Sequence, residues 1–342
     1  MFCVVAFVCG VIGIGLLVST RAATPMISLE AEGGTVTTPA IAVTDGSASQ
    51  GKAVQFKHGS PATLLGVYDG GTGTEEDTKT RFGAYPEIAS TYYQANQTSL
   101  KPAGEKARID KGIAPLITIT SKGTQYIQDI ANKSGTGWTW IQSYVAALKP
   151  IGEYGALKHV PVYATFDHEY EVKVNQGLIT GASADSAVYG KALSNFLALV
   201  KSQAPDIRTV YWYGHFDTVD IARVGNALTV KPDVYAFDPY SSASHSSTET
   251  LIQLVQPKIN WLKAQPWYDN KPIALSEFGA KHADADMARF YTNLRPQLAQ
   301  LHVEYAVLFN RDDGDIVITI TNGNFPLTVQ AFSDSLKSKA NN

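Results

Sequence analysis

The sequence predicts an eight-stranded (β/α) barrel, and three observations predict it. Eight short runs rich in β-branched and aromatic residues lie between Thr63 and Phe309. Stretches with apolar residues at helical spacing separate them, an order that calls for right-handed crossovers and a parallel sheet. No glycine fingerprint for a dinucleotide or a phosphate loop follows any run, which removes the open nucleotide-binding sheets. Eight such units over about 280 residues fit a closed barrel.

The strands are expected at Thr63 to Tyr68, Ile88 to Tyr92, Ile113 to Ile119, His159 to Phe166, Thr209 to Tyr213, Val234 to Phe237, Pro272 to Ser276 and Val303 to Phe309. Between them, apolar residues three and four apart mark helices, among them Ser183 to Ser202, Ser247 to Ala264, Asp284 to Leu301 and a closing Pro326 to Lys337. Ahead of the barrel, Ile27 to Phe56 alternates apolar and polar residues with Gly, Pro and Asp-Gly punctuation, the pattern of short strands. The chain therefore divides into residues 1–23, a β-rich segment at 24–60 and the barrel at 61–342.

Composition narrows the partners. With 28 basic and 31 acidic residues and a net charge of −3, the chain has no basic field for nucleic acid or anionic lipid, so a neutral partner fits. Both cysteines, Cys3 and Cys9, fall in the first apolar run, which leaves the rest without a disulfide, a thiolate site or a thiol nucleophile. That run, Phe2 to Val18, carries no charge and is followed by Ser19-Thr20-Arg21-Ala22-Ala23. It reads as a signal peptide, with an uncleaved membrane anchor as the alternative, and places the protein outside the cell, secreted or tethered. A monomer is expected.

Polar residues just past strand ends form the site of a (β/α) barrel. The fourth run, VPVYATF, is followed by Asp167-His168-Glu169-Tyr170-Glu171, and the seventh, PIALS, by Glu277-Phe278-Gly279. Ends of strands four and seven face each other across the barrel mouth. Two carboxyl groups about 5 to 5.5 Å apart, one protonated and one ionised, are what cleavage of a glycosidic bond with retention needs. Keeping a glutamate protonated takes an apolar wall or a neighbouring negative charge, and Phe166, Tyr170 and the nearby carboxylates supply both. His168 would position a substrate hydroxyl or the other glutamate, and Tyr240 would hold Glu277 ionised by a hydrogen bond. Trp138, Trp140, Trp212, Tyr68, Tyr92 and Tyr93 are candidate sugar-stacking rings, with Trp212 the best placed and Trp138 and Trp140 more consistent with packing. Asn310, after the eighth run, would reach the substrate. The acidic stretches from His282 and Asn310 lack the spacing of metal ligands, so neither a metal nor a cofactor is expected.

These residues resemble glycoside hydrolase family 26, within the clan of retaining barrel glycosidases. There a His-Glu pair after strand four holds the acid/base, a Glu-Phe-Gly segment after strand seven holds the nucleophile, and a tyrosine after strand six touches the nucleophile. Residue by residue, the resemblance implies Glu169 as acid/base, Glu277 as nucleophile and Tyr240 as that tyrosine, over roughly Leu64 to Leu336. The chain departs from the family's mannanases at Thr165, where they carry arginine, and at Glu171-Val172-Lys173, where they carry Asn-Gly and tryptophans. The segment LEAEGGTV followed by SASQGKAVQF is similar to the opening strands of carbohydrate-binding modules of families 6 and 35, but too short to complete one. Together the resemblances imply an endo-acting retaining hydrolase of a β-linked polysaccharide or oligosaccharide: mannan, mixed-linkage glucan or xylan. The rival reading is a glycan-binding surface protein on a barrel that has lost its chemistry. A barrel aldolase ranks lower, since no lysine stands at the end of strand six.

Overall fold

The computed structural model describes residues 40–44, 52–56 and, apart from short breaks at 69–73, 95–99, 215, 217, 243 and 313–318, residues 63–338. The expectations for the apolar run at 2–18 and for most of 24–60 lie outside the described residues. The chain forms two units, residues 1–59 and 60–342. Within the first, Ala40–Thr44 pairs antiparallel with Lys52–Phe56, Ala40 opposite Phe56.

The second unit is a (β/α)8 barrel. Its strands are β1 (Leu64–Tyr68), β2 (Ile88–Tyr93), β3 (Ala114–Ile119), β4 (Val162–Phe166), β5 (Ile207–Tyr213), β6 (Val234–Phe237), β7 (Ile273–Ala280) and β8 (Val303–Phe309). Each pairs in parallel with the next, and β8 returns to β1 with Tyr305 opposite Leu64 and Phe309 opposite Tyr68, which closes the sheet. A closed sheet leaves no strand edge unpaired.

Alternation along the strands sorts the core into two layers. Tyr163, Val210, Trp212, Val234, Ala236, Tyr305 and their neighbours fill the barrel interior, while Leu65, Phe166, Tyr211, Phe237 and Leu275 pack outward against the helices. β1 and β2 approach so closely at Gly66 that a Cβ there would lie 2.1 Å from the carbonyl oxygen of Ile88.

Two elements differ most from expectation. The helix expected over 284–301 is two, Asp284–Tyr291 and Leu294–Leu301, separated by Thr292 in extended backbone and Asn293 at φ 55°. Pro296, which has no N–H to donate to the carbonyl of Thr292, stands in the first turn of the second helix, where no such bond is needed. β7 runs on through Glu277 to Ala280 instead of ending at Ser276. Its register against β8 shifts twice, between Ile273 and Leu275 and between Leu275 and Phe278, and it gains a short parallel partner at Tyr240–Ser241.

Candidate active site

Glu169 and Glu277 meet at the mouth of the barrel. One carboxylate oxygen each of Glu169, Asp238 and Glu277 lies within 4.8 Å of the other two. Three strand ends build this cluster. Glu169 follows β4, Asp238 is the first residue after β6, and the irregular register of β7 turns Glu277 into the mouth.

Glu277 is 5% exposed and held from two sides. Tyr92, near the end of β2, donates its hydroxyl to Oε1, and Tyr240 donates its hydroxyl to Oε2. Burial first, and the charge of Glu277 second, hold both phenols well above their usual range, so they remain protonated donors. Two such bonds favour the ionised carboxylate. Asp238 accepts the backbone N–H of Glu277 on Oδ1 at 3.0 Å and the indole N–H of Trp212 on Oδ2 at 2.6 Å. Burial, then the charges of Glu277 and Glu169, push its carboxyl well above the ordinary range, and its side chain is also hydrogen-bonded to Glu169.

Glu169 is the more accessible carboxyl, with a quarter of its side chain exposed (26%). Its backbone is left-handed (φ 53°), as is that of Asp167 (φ 44°), an arrangement that costs of order 1 kcal/mol per residue and persists only where the surroundings impose it. They do so here. The amide of Asp167 donates to Ile119 at 2.8 Å and that of Glu169 to the carbonyl of Trp212 at 3.1 Å, while the carbonyl of Glu169 accepts from Lys173 at 3.1 Å to start the helix Tyr170–Asn175. Asp167 is buried, accepting from the amide of Ser121 at 3.1 Å with the Lys173 ammonium at 3.5 Å.

The remaining expected contacts divide. Tyr68 is partly exposed at the rim, 4.7 Å from Tyr92 and stacked on Phe309 at 5.3 Å between centroids; Phe309 in turn lies 6.3 Å from Tyr240. These rings make an aromatic wall beside Glu277. Trp212, expected as a stacking platform, is only 1% exposed and instead floors the site through its bond to Asp238. His168, expected to touch substrate, is buried beside Trp212 and Tyr92, with centroids at 4.7 and 5.1 Å, and its Nε2 stands 3.9 Å from Glu169. Burial, and secondarily Lys173, hold its pKa well below the usual range, so the ring is neutral. Asn310 is buried after β8, its backbone N–H on the carbonyl of Tyr68 at 2.8 Å, and its side-chain amide donates to Thr321 and accepts from the N–H of Ile320, both at 2.9 Å, closing the loop after β8.

Sequence reasoning missed Asp238 as a member of the cluster, although the strand-end rule applied to β6 would have reached it. The sequence marks Tyr92 only as a candidate stacking ring and Phe309 not at all, because aromatic residues at strand ends are as common in cores. Three carboxyls this close could also hold a divalent cation. The donors argue otherwise, since both oxygens of Asp238 and both of Glu277 already accept protein hydrogen bonds.

No protein-family profile and no curated protein sequence matches the chain. Solved structures do match in fold. A Bacillus sp. JAMB-750 GH26 endo-β-1,4-mannanase superimposes with a TM-score of 0.56 at 13% identity, over 82% of this chain and 86% of that one. A β-mannanase from a symbiotic protist of the termite Reticulitermes speratus, solved with a gluco-manno-oligosaccharide, gives 0.54 at 14% identity over 82% and 88%. A ruminal GH26 endo-β-1,4-mannanase gives 0.54 at 12% identity, and the chain spans 64% of its length. The fold is thus a (β/α)8 barrel of the form these family 26 glycosidases use.

Proposed function

We propose that this chain is a retaining endo-β-glycanase with Glu169 as acid/base and Glu277 as nucleophile. The observation that carries the reading is the pair itself: two carboxyls from β4 and β7 with one oxygen of each within 4.8 Å of the other, one clamped by two phenols and the other partly open. That spacing suits double displacement, because an inverting pair stands about 6.5 to 9.5 Å apart to admit a water.

In the first step the Glu277 carboxylate attacks the anomeric carbon as the glycosidic C–O bond breaks, and the Glu169 proton passes to the leaving oxygen. In the second, Glu169 takes a proton from water, the resulting hydroxide displaces Glu277 from the anomeric carbon, and both carboxyls regain their starting states. No external acid, base or cofactor enters the balance. The substrate we infer is a neutral β-linked polymer such as mannan, mixed-linkage glucan or xylan, met outside the cell, where the apolar run at residues 2–18 would deliver or tether the chain.

The test is a screen of those three glycans for release of reducing ends, with Glu169→Ala and Glu277→Ala as controls. Activity in the wild type that falls by about a thousandfold or more in both variants supports the reading. Binding without release, or release that survives both substitutions, overturns it.

A further inference from the structure

Glu171 is 2% exposed, two residues beyond Glu169 and absent from the reaction just described. A buried carboxyl is costly unless something requires it. Its Oε1 accepts the backbone N–H of Gly214 at 2.8 Å, tying the helix Tyr170–Asn175 to the first residue after β5. Gly214 is in turn the wall against which Glu169 rests. A Cβ at Gly214 would lie 2.9 Å from Oε1 of Glu169, 3.0 Å from its Cγ and 2.6 Å from Cγ2 of Val172. Two residues back, the carbonyl of Trp212 receives the Glu169 amide. The end of β5 therefore fixes both the backbone and the side chain of Glu169, and Glu171 fixes the end of β5.

We propose that Glu171 is a positioning residue for Glu169, acting by anchoring Gly214 so that the Glu169 carboxyl stands where a glycosidic oxygen must be protonated. This rests on the glycosidase reading above. What the anchor needs is an acceptor at the Glu171 position, not a charge. Glutamine supplies that acceptor in the same shape, and leucine fills the volume without it. The groups around the carboxyl are Glu169, Asp220 and the hydroxyls of Tyr170, Tyr189, Tyr211 and Tyr213, none of them cationic, which fits a neutral tether.

The experiment compares wild type, Glu171→Gln, Glu171→Leu and Gly214→Ala on aryl β-glycosides of the shortest oligosaccharide the wild type releases, with 2,4-dinitrophenol and 4-methylphenol as leaving groups. Only the poor leaving group needs the Glu169 proton. Glu171→Leu and Gly214→Ala are expected to lower kcat/KM on the methylphenyl glycoside by about tenfold or more, with kcat/KM on the dinitrophenyl glycoside little changed, while Glu171→Gln stays near wild type on both. Hydrogen exchange at the Gly214 amide should be fast in Glu171→Leu and slow in Glu171→Gln whatever the activity. Equal losses of kcat/KM on both leaving groups, a Glu171→Gln as impaired as Glu171→Leu, or an unimpaired Glu171→Leu each overturn the positioning role. Should Glu171→Leu not fold, Glu171→Val, which also removes the acceptor, decides by the same leaving-group split. A wild type inactive on every glycan sinks the glycosidase reading first, and the proposal with it.

Discussion

Asp238 receives the backbone N–H of Glu277 at 3.0 Å, so the first residue after β6 fixes the one at the turned segment of β7. The same carboxyl accepts from Trp212 on β5. Removing it in Asp238→Ala strands two buried N–H donors, each at a cost of about 1 to 3 kcal/mol. The expected outcome is a lower melting temperature and a kcat reduced by about a hundredfold, read by calorimetry and steady-state kinetics. An unchanged kcat would show that Asp238 does not organise the cluster.

Tyr92 and Tyr240 grip opposite oxygens of Glu277. Hydrogen bonds to a charged acceptor contribute about 1.5 to 3 kcal/mol, so Tyr92→Phe and Tyr240→Phe should each lower kcat by about ten- to a hundredfold. Because each phenol acts on the same carboxylate, the double variant should lose less than the product of the two. A strictly multiplicative loss would mean the tyrosines act independently.

The barrel was legible because it is written in repetition: eight apolar runs of the right length, each followed by helical spacing, leave little choice of topology. Six of the eight strands start or end within two residues of where the pattern puts them at both ends. β4 begins at Val162 rather than His159, since the left-handed His159 caps the preceding helix. β7 overruns to Ala280 because pairing with Tyr240–Ser241 extends it, a tertiary event that no local pattern records. At the site, Glu169 and Glu277 could be read from strand ends, and Tyr240 from its place after β6. Burial could not be read. Trp212 and His168 carry the chemistry of sugar contacts yet lie beneath the carboxylates, and Asn310 spends its amide on its own loop.

Gly66 is where β1 and β2 come closest, and the atom in the way of a side chain is backbone. Gly66→Ala must push the strands apart, and a loss of about 3 kcal/mol or more is expected from chemical denaturation. Gly112, at φ 74° with open space around it, serves as the contrast: alanine there meets backbone strain but no neighbour, and should cost about 1 kcal/mol. Equal costs at the two positions would refute the packing argument.

Burial raises the Glu171 carboxyl from its ordinary 4.5 to about 8. The folded state therefore holds a proton that the unfolded chain gives up over that interval. This contribution to stability is complete below about pH 4.5 and is lost as pH rises through about 8, at a slope approaching 1.4 kcal/mol per pH unit between them. Glu171→Gln removes the titration. Its stability relative to wild type should therefore rise steadily from pH 5 to pH 8, as followed by denaturant unfolding at each pH. A pH-independent difference between the two proteins would contradict the buried, protonated carboxyl.

The spacing of Glu169 and Glu277 makes one stereochemical demand that a single measurement reads. In the ¹H NMR spectrum of a β-glycan taken immediately after the protein is added, the first reducing ends to form should be β-anomers, with the α-anomer growing in only as mutarotation proceeds. Reducing ends that appear first as the α-anomer would mean a single displacement by water, and would contradict Glu277 as nucleophile.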